Sequence, residues 1–539
     1  MKNSYLVRIG GIFFFIGLIL MIISWNYSYP ITMPEIDEVT FSQFNPVVWP
    51  GIILSLLGLF LTGYYTERKS VKAICASLFP IVLYAYVFFF SYIATSDSGG
   101  VKAMFEVFHH TGINPSVESY FYYPVYFTLN EMTSQILGIG ANGLAIIFFT
   151  VFGVLIAFYL YLFIFKTTKN DLHHIAFLAV PVYFISIFTY LNYQWVPQTL
   201  ALIFLLLLLL IFDKKKIEYK ILSIVIFTVL VFTHLFIPAI YLLFLGIYAI
   251  KHKESRNSFL LMGCIYTSLL VYYTTFYLPI ILDAFRETIY GFGEEYAITF
   301  SRSFMEPEGL FSQIISTINR IRIPLIWILL SLGSLMLLIK KKLNFSTIAL
   351  GISGGFYLVV GLFYSVLGTR ALQVLLIPVI FGIGFFITKW KKPTLILVVI
   401  LLVLSIFGPI RNTYDEYQFQ VDEEEQACNF LVDVFPVGKS TKIAIGGINS
   451  GYFSKKLAYA NMDTNNTDET WIIAPYSPEF ENVFNKTLYK NEYILYNPQL
   501  GKELISYGWG ENEINIIKEK IRHNNKIYAC GKTTITAGK

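Results

Sequence analysis

One stretch decides how the chain is read: PQTLALIFLLLLLLIFDKKK, residues 197–216. Residues 197–212 carry no charge, and Asp213 and Lys214-Lys215-Lys216 follow at once. Leu, Ile and Ala favour a helix, and Pro197 fits its first turn. No polar face recurs at helical spacing, so the segment is apolar all round and has no side to turn to water. An apolar helix closed by a lysine cluster suits a bilayer, with the core in hydrocarbon and the lysines among headgroups.

The same pattern recurs along the chain. Long apolar runs occupy 9–25, 47–65, 73–93, 142–165, 175–191, 197–212, 221–234, 236–250, 258–280, 322–339, 348–368, 371–388 and 393–410. That is about thirteen candidate membrane helices, some short of the roughly 20 residues a full crossing takes. The whole chain of 539 residues is 55% hydrophobic and 14% charged, against about 25% charged in a soluble protein. A soluble enzyme, a disordered chain and a secreted disulfide scaffold are excluded. The net charge of +5 gives no basic footprint for nucleic acid. The run 9–25 ends in Trp25-Asn26-Tyr27 with no small-residue cleavage site, so it is expected to stay as a helix.

Lys and Arg set the orientation. Alternate connections hold Arg68-Lys69, Lys166 to Lys169, Lys214 to Lys216, Lys251 to Arg256, Lys340 to Lys342 and Lys389 to Lys392. With the N-terminus, Lys72 and Lys220, this side takes 20 of the 40 basic residues; the opposite connections hold six and the tail from 411 holds 14. The expected topology places the N-terminus in the cytoplasm and residues 411–539 outside the cell membrane. The expected domains are two N-terminal helices (1–72), a transmembrane module (73–410) with outer loops 94–141 and 281–321, and the tail 411–539. In the tail, runs such as Lys442 to Ile445 and Tyr493 to Tyr496 alternate with helical stretches, which predicts a small α/β domain.

Candidate chemistry gathers on the outer side. Asp97, just past the helix 73–93, could act as a base in a partly desolvated position or simply cap the next helix. Residues 100–111 form an amphipathic interfacial helix, followed by Tyr123-Pro124 and a second interfacial segment. Trp195-Val196-Pro197-Gln198 opens a helix at the interface. His234, after Thr233, lies at the junction of two helices, where it is either functional or a satisfied interfacial histidine. Arg370 is expected in a very short outer turn between 348–368 and 371–388, either snorkelling or binding a lipid phosphate. Glu294 lies in the second outer loop, which could close over substrate. Cys428 and Cys530 fall near the two ends of the tail, where an oxidising compartment would permit a disulfide; two buried thiols are the alternative. His109-His110 and His173-His174 read as interfacial, the second pair as headgroup neighbours on the inner side.

In this order and on this side of the membrane, Asp97, Tyr123-Pro124, Trp195-Val196-Pro197-Gln198, Thr233-His234 and the late Arg370 resemble the GT-C superfamily of polytopic glycosyltransferases. The resemblance covers about 73–410 and, more loosely, the tail, whose end Asn525 to Gly531 is similar to the closing strand pair of such outer domains. It implies a GT-C-like fold and an inverting transfer of sugar from a polyprenyl-phosphate donor to an outer-face acceptor, whether glycan, lipid or protein. In that reading Asp97 is the catalytic base, Arg370 and His234 hold the donor phosphate, and Tyr123, Trp195, Gln198 and Glu294 line the substrate cavity. Family members often carry two acids close together in the first loop, whereas here Asp97 precedes Ser98-Gly99. A divalent metal requirement therefore stays open. The competing readings are a secondary transporter or lipid flippase, and a non-catalytic scaffold displaying the tail. The absence of a repeat and the clustering of polar candidates on one face argue against a transporter.

Overall fold

A computed structural model describes residues 2–29, 44–89, most of 101–109, 112–113, 123–168, 173–186, 195–271, 310–361 and 365–407. In the tail it describes five strands with Phe430, Asn515 and Glu519, which are helical. Every apolar run read from the sequence carries helix in these residues. Helix α1 (Lys2–Ser28) and α2 (Val48–Tyr65) form an antiparallel hairpin, and α3 (Lys69–Leu83) continues into a 3-10 turn at Ala85–Phe89. The short helix α4 (Pro124–Leu137) precedes α5 (Ala141–Thr167), α6 (His173–Ser186), α7 (Pro197–Ile211), α8 (Ile217–Val231) and α9 (Phe236–Lys251). A further helix, α10, occupies 256–271. Then come α11 (Leu310–Ile339), α12 (Phe345–Gly361), α13 (Ser365–Val379), α14 (Gly382–Lys389) and α15 (Lys391–Ser405). Among the described residues, five segments are long and apolar enough to cross a membrane: Ser4–Ser28, Val48–Tyr65, Gly143–Thr167, Ile321–Ile339 and Arg370–Lys389.

Three local expectations change. The stretch 310–321, assigned to the second outer loop, is helical and continuous with the span that follows. Its sequence Leu310 to Arg322 holds no Gly or Pro to stop it, and Pro324 sits inside the helix without ending it. Arg370 lies within α13 rather than in a turn, because Gly368-Thr369 continue the helix toward it. Finally, His174 packs on the Tyr64 ring at 4.9 Å and accepts from Lys72 Nζ at 3.2 Å, so it is a packing residue more than a headgroup neighbour. Lys72 is buried and also donates to the carbonyls of Gly63 (3.2 Å) and Tyr64 (3.1 Å), which α2 leaves open at its end.

In hydrocarbon the apolar effect does not drive helix pairing, so close backbone approach must supply the contact. The α1–α2 hairpin achieves it with glycine. A Cβ on Gly58 would meet the Phe14 backbone nitrogen and, at 2.6 Å, the Gly10 carbonyl. The hairpin is also tied to the rest of the bundle: Trp25 Nε1 donates to the Phe88 carbonyl at 3.1 Å, and Phe44 packs on Phe89 with ring centres 5.5 Å apart. The two N-terminal helices thus brace the chain at the 3-10 turn that follows α3.

The tail contains a mixed five-stranded sheet of β1 (Thr441–Ile445), β2 (Thr470–Ile473), β3 (Glu492–Tyr496), β4 (Asn525–Cys530) and β5 (Thr533–Ala537), in the order β2-β1-β3-β5-β4. β1 pairs in parallel with β2 and β3, while β3–β5 and β4–β5 are antiparallel. Both runs singled out in the sequence are central strands, and the closing strand pair is the β4–β5 hairpin. Cys428, half of the expected disulfide, lies outside the described residues.

Gly58→Val should destabilise the folded chain by at least about 1–3 kcal/mol, because overpacking meets backbone here rather than a movable side chain. Gly11→Val, in the same hairpin with nothing within 4 Å of a new Cβ, should leave stability near the parent. Thermal unfolding of both variants in one detergent checks the difference.

Candidate functional site

The site starts at the junction between α8 and α9. Thr233 Oγ1 donates to the Val229 carbonyl at 2.7 Å, and the His234 amide donates to the Leu230 carbonyl at 3.0 Å. These bonds close α8. His234 then opens α9: its Nδ1 accepts from the amide of Phe236 at 3.1 Å and faces that of Ile237 at 3.5 Å. An imidazole nitrogen thus does what a Ser or Asp oxygen does at most helix starts. An Nδ1 that accepts carries no proton, so the ring is neutral with its proton on Nε2. Burial pushes the His234 pKa well below the usual range, and the neighbouring Arg370 guanidinium adds to the shift.

Arg370 reaches this junction from α13. Its Cζ lies 5.9 Å from the centre of the Phe236 ring, and His234 lies 6.1 Å from the same ring. The cation therefore rests on an aromatic face beside a neutral imidazole. One turn further along α13, Gln373 is buried and accepts a hydrogen bond from Gln198 Nε2 in the first turn of α7. Pro197 at the first helical position sets that turn. Tyr123 is buried against Leu235 and Leu269, and Val125 donates to the Phe232 carbonyl at 3.4 Å. The Tyr-Pro step has a local reason as well, since Pro124 starts α4 and Gly138, at φ 65°, ends it in the left-handed conformation.

Four residues from four separate sequence motifs, Tyr123, Gln198, His234 and Arg370, thus gather around α9 and α13. Trp195 is placed differently. It is 1% exposed, donates from Nε1 to Asn130 Oδ1 at 2.7 Å, and meets the Phe105 ring edge-on at 5.8 Å. It fastens the start of α7 to α4 and to the helical residues of 101–109. His109 braces the same two segments through Glu131, at 2.9 Å from Nδ1. Asp97 and Glu294 lie outside the described residues. Sequence reasoning missed Gln373, Phe236 and Tyr266, whose hydroxyl donates to the Leu235 carbonyl at 3.0 Å. The signal for Gln373 was a lone amide three residues after Arg370 in an apolar helix, the spacing that puts both on one face. No group of three His, Cys, Asp or Glu that could hold a metal ion occurs among the described residues.

The helices define a polytopic α-helical membrane protein with a polar cluster at one end of its bundle. No family model and no curated protein matches the sequence. Among solved structures, the chain is similar to an oligosaccharyltransferase of Archaeoglobus fulgidus, crystallised tethered to an acceptor peptide containing the NVT sequon. The TM-score is 0.45 and the identity 11%, over 87% of this chain and 74% of that one.

His234→Ala should cost about 1 kcal/mol through the lost cap, whereas His234→Asn, whose side-chain oxygen can take the place of Nδ1, should recover most of it. Below about pH 6.5 an unfolded histidine takes up a proton that the buried His234 refuses. Part of the parent's stability should therefore fall away as the pH drops from there, and that part should be missing in His234→Asn. Thermal unfolding of the three proteins between pH 5 and pH 8 measures both effects.

Proposed function

We propose that the chain is a membrane glycosyltransferase that moves a sugar from a polyprenyl-phosphate carrier to an acceptor at the outer face. The observation that carries this reading is the convergence of His234, Arg370, Gln198 and Tyr123 at one end of the bundle. A scaffold has no need to bring a guanidinium, a proton-bearing imidazole and a glutamine pair together there. A transporter would concentrate them near the bilayer midplane.

In this mechanism Asp97 takes the proton from the acceptor as its nucleophilic atom attacks the anomeric carbon, a role worth roughly 10²–10⁴-fold. The carbon–oxygen bond to the carrier breaks on the opposite face, which inverts the anomeric configuration. The electron pair stays on the carrier phosphate. Arg370 meets that growing negative charge with its guanidinium, and His234 offers its Nε2 proton as a neutral donor. Gln198 and Gln373 fix the face of α13 that presents Arg370. The N-terminus lies in the cytoplasm, about thirteen helices cross, and the tail with its sheet stands outside.

Asp97→Asn keeps shape and capping ability but removes the base, so turnover with a polyprenyl-phosphate sugar should fall at least about 100-fold at near-normal expression. Arg370→Lys should weaken donor use and Arg370→Ala nearly abolish it, in KM and kcat together, since charge on the phosphate grows in the transition state. Parent-like turnover in either Asp97→Asn or Arg370→Ala would remove that residue from the mechanism. Ser450→Cys should react with an impermeant thiol reagent on intact cells; labelling only after lysis would reverse the orientation and with it the outer-face reaction.

A further inference from the structure

The lysines that close the helices are of two kinds. Around α5, α7 and α9 they have carboxylates: Lys166 donates to Asp213, and Lys215 lies 3.3 Å from Glu254. Around α11, α14 and α15 they have none among the described residues. Lys340, Lys341, Lys342, Lys389, Lys391 and Lys392 are all exposed, and none is in an ion pair there.

The fold gathers these cations. Helices α11 and α14 touch backbone to backbone: a Cβ on Gly333 would meet the Gly382 carbonyl, and one on Gly382 would meet the Leu330 carbonyl. Ser334 Oγ ties the same crossing by donating to the Val379 carbonyl at 2.7 Å. From the two glycines to Lys340 and to Lys389 is the same number of residues, about 10 Å at helical rise. The two lysines consequently meet at one ring. Lys340 Nζ lies 5.0 Å and Lys389 Nζ 5.8 Å from the centre of Phe385, and Lys389 Nζ lies 4.6 Å from that of Trp390, which is 47% exposed.

The end of α11 adds a backbone observation. The amides of Lys341 and Lys342 close the helix by donating to the carbonyls of Leu338 and Leu337, at 2.9 Å each. This cap puts Lys341 at φ 54°, in the left-handed region where glycine costs least. The helix dipole favours lysine near a helix end but gives no reason for lysine at the position that asks for glycine. The backbone amides already satisfy the helix carbonyls, so the three ammonium groups are left for another anion. Beside them α11 exposes Leu335, Met336, Leu338 and Ile339, and α15 exposes Ile396. Cations bordering a bare apolar surface match a molecule with an anionic head and an apolar tail.

We propose that Lys340, Lys341 and Lys389, with Trp390 beside them, form a binding site for the headgroup of an acidic phospholipid. The ammonium groups donate to its phosphate oxygens. The acyl chains lie along the exposed apolar face of α11, and Trp390 sits at headgroup level, where its ring is both wet and apolar. Nothing in this site depends on glycosyl transfer.

The test uses the full chain, delipidated in a sugar-headgroup detergent that contains no phosphate. Phosphatidylglycerol and phosphatidylcholine are titrated separately, with bound lipid counted by native mass spectrometry and the melting temperature followed in parallel. The parent should bind phosphatidylglycerol at least about tenfold more tightly than phosphatidylcholine and melt higher with it. The double variant Lys340→Gln/Lys389→Gln should lose about tenfold or more in phosphatidylglycerol binding. Lys214→Gln/Lys216→Gln removes the same charge from another lysine cluster and should bind as the parent does. Lys341→Gly relieves the left-handed backbone, so without lipid it should melt above the parent, and it should gain less from phosphatidylglycerol. All five positions are exposed, and melting without lipid checks that each variant folds. Four results would each overturn the proposal: parent-like binding in the Lys340/Lys389 variant, an equal loss in the Lys214/Lys216 variant, a full lipid gain in Lys341→Gly, or no preference of the parent for phosphatidylglycerol.

Discussion

A helix that ends inside a membrane protein leaves its last carbonyls and the next helix's first amides without water to satisfy them. The turn between α8 and α9 meets this constraint with its own side chains. Thr233 bonds back into α8 and His234 bonds forward into α9. The forward bond fixes the imidazole as a neutral Nε2–H tautomer and holds the ring beside Phe236. That places a neutral donor, rather than a second cation, next to Arg370. Were the imidazole protonated, it would lose the cap and face a guanidinium at close range. The capping bond therefore also defines the electrostatics of the cluster: one positive charge, flanked by a neutral donor and an aromatic face.

The same constraint explains which parts of the architecture could be read from the sequence. Apolar runs and lysine clusters are strong signals because hydrocarbon and headgroups demand them over many residues, and helix is found in every run. The ends of helices are decided by one or two bonds and left weaker traces. Arg370 looked like a turn residue because charge normally marks a boundary. In the structure the helix runs through it, since a cation resting on the Phe236 ring near the end of the bundle need not leave the helix. The stretch 310–321 looked like loop because it is polar, yet nothing in it breaks a helix.

The cluster itself was half legible. Pro197-Gln198 and Thr233-His234 announced themselves as helix starts, and their structural duty is what brings them together. Trp195 shows how this signal misleads. An interfacial tryptophan beside a helix start suggests a surface that meets substrate, but here the indole N–H donates to Asn130 Oδ1 and the ring is buried. Gln373 was passed over because one amide in an apolar helix means little until the residue across from it is known. That residue is Gln198, 175 positions earlier, and no local pattern links the two.

The position of the charges has an energetic logic of its own. A guanidinium costs least near a headgroup level, where water and lipid phosphates compete to solvate it, and most at the midplane. Arg322 and Arg370 each stand about one hydrocarbon thickness from a lysine cluster further along the same part of the chain. Two arginines kept at such a level, Arg370 on the Phe236 ring and Arg322 buried in α11, make their surroundings electropositive. A lipid-borne anion would be drawn there head first. Its tail would stay in the bilayer and its phosphate would stop at the depth where α11 and α13 present their cations.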